Sequence, residues 1–252
     1  MSRSKVEFEN PQGAKLAGLL EMPDQGEPRA MAIFAHCFTC GKDIAAASRI
    51  GRALAKHGIG VLRFDFTGLG GSDGDFGNTS FSSNIEDLLA AASFLETHYQ
   101  TPKLLIGHSL GGAAVLAAAH HLHSMEAVAT IGAPATANHV KHLFDDQADE
   151  ISASGEAEVS LAGRKFNVKS QMLKDLEQWN TPDHIRNLRK ALIVFHSPVD
   201  EVVDISEAAK IYQAAKHPKS FISLDDSDHL VSKAVDAEYI ADTLVAWSSR
   251  YL

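Results

Sequence analysis

A serine between two glycines constrains this chain more than any other feature of its sequence. The pentapeptide Gly-His-Ser-Leu-Gly occupies residues 107–111, directly after an apolar run at residues 103–106 and before an alanine-rich helical segment that extends to His123. A strand, a sharp turn and a helix in this order form the context in which Gly-x-Ser-x-Gly carries a nucleophile. The strained turn needs glycine on both sides, because neighbouring strands approach it closely. We therefore predict that Ser109 is a nucleophile at a helix N-terminus, where developing negative charge is favoured.

Short β-rich runs alternate with helical patterns along the chain. The predicted strands cover residues 6–8, 16–22, 31–35, 61–64, 104–107, 127–131, 191–196 and 220–224. The first two are separated by a turn too short for a crossover, so we expect them to form an antiparallel hairpin. The alternation predicts an α/β fold, with an eight-stranded, mostly parallel sheet that carries helices on both faces.

Apolar residues at a period of 3.6 predict helices between the strands. One helix covers residues 44–54 and another covers residues 85–95. The second is expected to open on Ser83 and Glu86, which have the spacing of a capping box. A last helix covers residues 240–247.

An insertion interrupts the alternation after the strand at residues 127–131. About 55 residues pass before the next strand, where a plain crossover needs a dozen or two. Residues 159–161 and 165–168 have the pattern of a hairpin, and residues 170–179 have that of a helix. We predict a small insertion at approximately residues 134–189.

Length and charge exclude several classes of function. One α/β domain can fill 252 residues, so we expect a single domain over residues 1–252. The formal net charge of −9 opposes binding to nucleic acid or to anionic membranes, and we expect neither as a partner. The chain begins without the apolar run of a secretory signal, and no run reaches the roughly 18 apolar residues of a membrane span. These observations predict a cytoplasmic protein.

A serine nucleophile needs a base, and the base needs an acid that orients it. Where Gly-x-Ser-x-Gly carries the nucleophile, the acid and then the histidine follow it along the chain. Asp200 and His229 each follow a predicted strand, at the end where ligands of open α/β sheets collect. Asp204 is a second candidate for the acid, although its place before residues 205–207 suits a helix N-cap. We predict that Ser109, Asp200 and His229 form a catalytic triad.

Two backbone amides are also needed to stabilise the oxyanion of a tetrahedral intermediate. The residue after the nucleophile, Leu110, supplies the first amide. The second comes from the loop after an early strand, and the strand at residues 31–35 runs into residues 36–40. Within that loop, the amide of Phe38 is the predicted second donor.

The only cysteines, Cys37 and Cys40, lie in the same loop in a Cys-x-x-Cys spacing. A cytosolic chain can use such a pair for redox chemistry, or for zinc when further ligands complete the set. The chain has no second pair and no His-x-x-x-His, so we predict no metal site. We expect two reduced thiols packed near the site. As a hypothesis, oxidising the pair distorts the loop and stops turnover, and unchanged turnover after mild peroxide treatment would count against it.

With these residues in this order, the chain resembles the α/β-hydrolases over nearly its whole length. Residues 63–72 are similar to the Asp-x-Arg-Gly-x-Gly-x-Ser loop of that family, with Thr67 where arginine is usual and Asp65 as the expected organiser of the loop. The family often has His-Gly in the oxyanion loop, and here Cys37 replaces the glycine. Residues 36–43 are similar to hydrolases that are fused to OsmC-type peroxide-reducing domains, although we expect no such domain within these 252 residues.

The insertion is similar to the small lid of feruloyl and cinnamoyl esterases. Its His139, Phe144, Met172 and Trp179 are candidates to line an acyl or aromatic pocket, and each is equally a candidate to pack the insertion itself.

The resemblance and the residues together predict a serine hydrolase that cleaves carboxylic esters of small molecules through an acyl-enzyme, with no cofactor. Thioesters, lactones and peptides are alternatives, since the same triad cleaves all of them. A different class of function stays open as well, namely a non-catalytic module that keeps the fold and binds a ligand in its pocket.

Overall fold

Parallel strand pairing dominates the sheet. The computed structural model describes residues 2–161 and 163–252. Its strands are Ser2–Glu9 (β1), Lys15–Met22 (β2), Ala30–Ala35 (β3), Ile59–Phe64 (β4), Pro102–His108 (β5), Ala127–Ile131 (β6), Glu156–Leu161 (β7), Arg164–Lys169 (β8), Ala191–His196 (β9) and Lys219–Ser223 (β10). Eight of them form one sheet in the order β1-β2-β4-β3-β5-β6-β9-β10, which confirms the predicted fold class.

The predicted hairpin of the first two strands is confirmed. β1 and β2 pair antiparallel, β2 pairs antiparallel with β4, and the remaining neighbours in the sheet pair parallel. The side chain of Asn10 closes the turn between β1 and β2 by accepting hydrogen bonds from the amides of Gln12 and Ala14. Gly13 completes this turn with a φ of 80°, a backbone conformation that favours glycine.

Helices cover both faces of this sheet. The α-helices of the described chain are Ala45–Lys56 (α1), Phe81–His98 (α2), Leu110–Ala118 (α3), Ala148–Ser154 (α4), Ser170–Gln178 (α5), Asp183–Arg186 (α6), Ile205–Ala214 (α7) and Ala234–Ser248 (α8), of which α4, α5 and α6 belong to the insertion. Strand β3 shows how the two faces are divided, because successive side chains alternate between them. Met31, Ile33 and Ala35 pack with α2 and α3, whereas Ala32 and Phe34 pack with α1 and α8. No helix among the described residues is long and apolar enough to cross a membrane.

The predicted start of α2 is wrong by one turn. The helix begins at Phe81 rather than after Ser83, because the extended Ser80 is its N-cap and accepts a hydrogen bond from the Ser83 amide. The Ser83 hydroxyl in turn accepts from the Ser80 amide, so the capping box joins two serines and does not involve Glu86. Helix α3 is also shorter than expected, since it ends at Ala118.

The insertion lies between β6 and β9. A 3₁₀ segment, Ala137–Gln147, is followed by α4, the hairpin of β7 and β8, and helices α5 and α6. The predicted hairpin and the predicted helix at residues 170–179 are therefore present. Alternate residues of β7, which are Ala157, Val159 and Leu161, are buried in the same core as α2 and α3. The role of this insertion as a lid, like the assignment of residues 1–252 to one domain, stays a prediction.

A buried ion pair connects the hairpin to the parallel strands. Arg63 on β4 and Glu21 on β2 both have fully buried side chains, and the Arg63 Nη2 atom lies 2.9 Å from the Glu21 Oε1 atom. Arg63 also donates a hydrogen bond to the Lys42 carbonyl, in the segment that follows β3. Removing one partner of such a pair leaves an uncompensated buried charge.

We expect Glu21→Gln to lower the free energy of unfolding by about 3 kcal/mol, because it removes the buried carboxylate that pairs with the Arg63 guanidinium and leaves only the exposed Asp43, at 3.8 Å from the Arg63 Nη1 atom. Urea denaturation measures the change. The control is Glu9→Gln on the exposed end of β1, for which we expect a change within about 0.5 kcal/mol. Equal effects of the two substitutions would show that the buried pair does not stabilise the fold.

Candidate active site

Ser109 lies at the sharp turn between β5 and α3. β5 ends at His108, α3 begins at Leu110, and Ser109 between them has a φ of 55° and a ψ of −127°. A positive φ is uncommon for a residue with a side chain, and such strain is often found at functional sites. The turn raises the hydroxyl above the carboxyl end of β5 and places it at the N-terminus of α3.

Close backbone packing explains the glycines that flank this turn. A Cβ atom at Gly107 would lie 2.3 Å from the Gly111 carbonyl oxygen, and one at Gly111 would lie 2.4 Å from the His36 carbonyl oxygen. Both distances are too short for any side chain. The absence of a side chain at Gly111 therefore lets the loop after β3 approach the nucleophile turn.

The structure brings the three predicted triad residues into one hydrogen-bonded chain. The His229 Nε2 atom lies 3.0 Å from the Ser109 Oγ atom, and the His229 Nδ1 atom lies 2.8 Å from the Asp200 Oδ2 atom. Asp200 follows β9 and His229 follows β10, and these strands run parallel to each other, so both loops leave the sheet at the same edge. The side chains of Asp200 and His229 are only 2% and 9% exposed.

The surroundings of Asp200 stabilise its ionised form. Burial alone would raise the pKa of this carboxyl, but hydrogen bonds from the His229 side chain and from the amides of Val203 and Val202 outweigh it and lower the pKa below its usual value. Both amides donate to the Oδ1 atom at 2.9 Å, which leaves Oδ2 for His229. The second candidate, Asp204, is the N-cap of α7 and accepts a hydrogen bond from the Ser206 amide.

The two predicted oxyanion donors lie next to the nucleophile turn. Leu110 is the first residue of α3, where backbone amides have no partner within the helix. Phe38 lies in the loop after β3, and its amide makes no hydrogen bond to any residue that the structure describes. Both residues line a small cleft with Gly111. The assignment of these two amides to the oxyanion is a proposal, which the geometry of the loop supports.

Asp65 organises the neighbouring loop, as expected from its position. Its carboxylate accepts hydrogen bonds from the amides of Lys42 and Gly71 at 2.6 Å and 2.9 Å, and it pairs with the Lys42 ammonium at 2.5 Å. These bonds connect the loop after β4 to the segment after β3 and lower the pKa of Asp65 despite its burial, which alone would raise it. Asp65 makes no contact with the triad, which agrees with a structural role.

The expectation of two reduced thiols is wrong. Cys37 and Cys40 form a disulfide in this structure. The Cys40 amide donates to the Cys37 carbonyl in a tight turn, which brings the two Cα atoms to 5.3 Å, within the range that a disulfide needs. The triad hydrogen bonds are intact beside this disulfide, so the structure does not support the hypothesis that oxidation distorts the site.

A cavity of about 340 Å³ lies over Ser109 and His229. Its wall combines residues of the oxyanion loop, the insertion and the loops that carry Asp200 and His229. None of its lining residues among the described part of the chain is Asp, Glu, Lys or Arg. The apolar part of the wall consists of Phe38, Pro134, Val140, Leu143, Leu161, Val202, Val203 and Leu230.

Only one of the four insertion residues considered from the sequence lines this cavity. His139 lines it, whereas Phe144 and Met172 are buried in the core. Trp179 packs against Phe81, and its indole nitrogen donates to the Ser82 hydroxyl. Sequence reasoning missed most of the wall, including Val202 and Leu230. The signal available in the sequence was that these two apolar residues lie within two positions of Asp200 and His229. In the structure, the Val202 and Leu230 side chains are both more than half exposed.

We expect the double substitution Cys37→Ser, Cys40→Ser to lower kcat by roughly threefold to tenfold, because the loop after β3 loses its crosslink and small misplacements of groups around Ser109 are costly. Steady-state kinetics measure the change. Treatment with a reductant is expected to have the same effect on the wild type and none on the double variant. An unchanged kcat in the double variant and in the reduced wild type would show that the disulfide does not hold the loop.

Comparisons with known proteins support the fold and assign the chain to a family. Residues 26–152 match the family model described as serine aminopeptidase, S33. The esterase domain of a Rhodothermus marinus protein is 49% identical, with 100% of this chain and 99% of that chain covered and a TM-score of 0.81. Est1E from Butyrivibrio proteoclasticus, solved with ferulic acid, is 19% identical over 98% of both chains with a TM-score of 0.80, which shows a shared fold. The uncharacterised protein YfhR of Salmonella typhi is 23% identical over 234 residues, which cover 89% of this chain and 74% of that protein.

The match to the family model, the 49% identical neighbour and the sheet topology agree with one another. The chain belongs to the serine aminopeptidase S33 family and is a serine hydrolase with the α/β-hydrolase fold.

Proposed function

We propose that the protein is a serine esterase that hydrolyses carboxylic esters of small, uncharged molecules. The observation that carries the proposal is the hydrogen-bonded chain from Asp200 through His229 to Ser109 at the floor of an uncharged cavity. A serine hydroxyl becomes an effective nucleophile only when a base takes its proton. His229 is that base, and its hydrogen bond to Asp200 holds it in the required orientation.

Acylation follows from the direction of these hydrogen bonds. An ionised Asp200 can only accept, so His229 carries its proton on Nδ1 and leaves Nε2 free to accept from the Ser109 hydroxyl. His229 removes that proton as the Ser109 oxygen attacks the ester carbonyl. The amides of Phe38 and Leu110 stabilise the resulting oxyanion. His229 then donates the proton to the leaving alcohol, and the acyl group remains on Ser109.

Water completes the reaction in a second step. His229 takes a proton from the attacking water, which adds to the acyl-enzyme carbonyl, and then returns the proton to the Ser109 oxygen as the acid leaves. In this scheme no cofactor takes part, since every proton and electron pair is supplied by the triad, the substrate or water.

The cavity wall favours an uncharged ester over a peptide with a free N-terminus. An aminopeptidase has to hold the ammonium group of its substrate, and carboxylates are the usual partners of such a charge. The cavity has no acidic lining residue within the described chain, and its wall is mainly apolar. The 49% identical neighbour is an esterase domain, which also supports ester cleavage. Thioesters and lactones stay alternatives for the same triad.

We expect Ser109→Ala to lower kcat by about 10⁴-fold or more, because it removes the nucleophile. The assay uses nitrophenyl esters of graded acyl length beside a cinnamoyl ester and an aminoacyl nitroanilide. The wild type is expected to cleave the uncharged esters and to leave the nitroanilide intact. Ser249→Ala, an exposed serine of the C-terminal helix end, is the control. Full activity of the Ser109 variant, or a preference for the nitroanilide, would contradict the proposal.

A fluorophosphonate probe separates an esterase from a non-catalytic binding module. An activated serine reacts with the probe, so we expect labelling of the wild type and none of Ser109→Ala. An unlabelled wild type that still binds esters would favour the binding module.

The identity of the acid is tested by two matched substitutions. We expect Asp200→Asn to lower kcat by about three to four orders of magnitude, because the amide no longer holds His229 in the required tautomer. Asp204→Asn is expected to leave kcat within about twofold, since asparagine caps a helix as well as aspartate does. The opposite order of effects would make Asp204 the acid.

A further inference from the structure

Three buried histidines that the proposed reaction does not use lie at the carboxyl ends of parallel strands. His36 follows β3 directly, His108 is the last residue of β5, and His196 is the last residue of β9. Their exposed fractions are 1%, 0% and 0%. Each ring makes a hydrogen bond to a backbone carbonyl in one of the loops that build the site.

His36 acts on the oxyanion loop. Its Nε2 atom accepts a hydrogen bond from the Phe66 amide at 3.3 Å, so the ring proton is on Nδ1, which donates to the Cys37 carbonyl at 2.8 Å. The Cys37 carbonyl belongs to the same peptide unit as the Phe38 amide. Because carbonyl and amide point to opposite sides of a trans peptide, holding the carbonyl fixes the direction of the Phe38 N–H.

His108 acts on the loop of the base. Its Nε2 atom lies 2.7 Å from the His229 carbonyl oxygen and is the donor, since a carbonyl can only accept. Burial and, secondly, the neighbouring His229 lower the pKa of His108 to about 4, so the ring is neutral in this position. The hydrogen bond restrains the backbone of the residue whose side chain must reach both Ser109 and Asp200.

His196 acts on the loop of the acid. Its Nε2 atom lies 2.7 Å from the Val203 carbonyl oxygen and donates to it. Val203 is also one of the two residues whose amides donate to the Asp200 Oδ1 atom. The His196 bond therefore restrains a residue that holds the acid in place.

Buried histidine rings are less favourable for core packing than apolar side chains of similar size. Polar groups without partners cost free energy in a protein interior, and the Nδ1 atoms of His108 and His196 make no hydrogen bond within the described residues. An apolar side chain would fill either position without that cost. An apolar side chain does not supply a directed N–H donor. All three histidines donate to backbone carbonyls in loops of the same site.

We propose that His36, His108 and His196 are positioning residues, each of which orients through one backbone carbonyl the loop that carries the oxyanion donor, the base or the acid. The proposal rests on the proposed esterase function. A positioning residue acts on the geometry of the reacting groups, so its loss lowers kcat more than it raises KM.

The ring nitrogen that donates differs between the three histidines, and this provides the test. The side-chain amide nitrogen of asparagine lies near the position of Nδ1, and that of glutamine lies near the position of Nε2. We therefore expect His36→Asn to retain most of kcat and His36→Gln to lose it. The order reverses for His108 and His196, at which glutamine is expected to retain kcat and asparagine to lose it.

The leucine variants define the full effect, which we expect to be about a tenfold to hundredfold loss of kcat with KM changed by less than about threefold. The concentration of active sites is titrated with the fluorophosphonate probe, so that unfolded protein does not count as slow enzyme. His120→Leu, at an exposed position in the turn after α3, is the control, for which we expect no change. If a leucine variant does not fold, the kcat values of the asparagine and glutamine variants at that position are compared instead.

Equal kcat values for the asparagine and glutamine variants at all three positions would overturn the proposal, as would a fall in thermal stability with kcat per active site unchanged. Failure of the proposed function looks different. In that case the wild type and Ser109→Ala hydrolyse esters equally, and the positioning proposal falls with it.

Discussion

The carboxyl ends of parallel strands meet at one edge of a sheet, and every group of the proposed site depends on this constraint. The oxyanion loop follows β3, the nucleophile follows β5, the acid follows β9 and the base follows β10. Parallel pairing from β3 through β5, β6 and β9 to β10 aligns these ends. Residues that are separated by more than 100 positions, such as Ser109 and His229, therefore come within 3.0 Å of each other. The crevice at this edge is where ligands of open α/β sheets bind.

Burial strengthens the interaction between the Asp200 carboxylate and His229 at this edge of the sheet. The Asp200 and His229 side chains are largely withdrawn from water, where charge interactions are less screened. Hydrogen bonds from His229 and from two backbone amides keep Asp200 ionised although its burial opposes the charge. Because its pKa is lowered, the charged carboxylate stabilises the folded protein at pH values above the ordinary carboxyl range, and this contribution is lost as the pH falls through the lowered pKa. The hydrogen bonds of His36, His108 and His196 add restraint to the backbone around these groups.

Much of the fold and of the site was predictable from the sequence because both depend on local patterns and on chain order. The strand, turn and helix around Ser109 are local, and the positions of Asp200 and His229 follow from strands that the β-rich runs predict. Details that depend on packing were not predictable. The start of α2 at Phe81 depends on the backbone of Ser80, and the disulfide depends on a tight turn that Cys-x-x-Cys alone does not require. The cavity wall comes from six separate stretches of the chain, and no sequence period connects them.

In the proposed mechanism Ser109 carries the acyl group during turnover, and mass spectrometry of acid-quenched protein detects this intermediate. The protein is mixed with a nitrophenyl ester, quenched in acid after increasing times, digested and analysed peptide by peptide. We expect the peptide that contains Ser109 to gain the mass of the acyl group during turnover and to lose it once the substrate is consumed. Hydrolysis that proceeds without any acylated peptide, or with the acyl group on a residue other than Ser109, would contradict the mechanism.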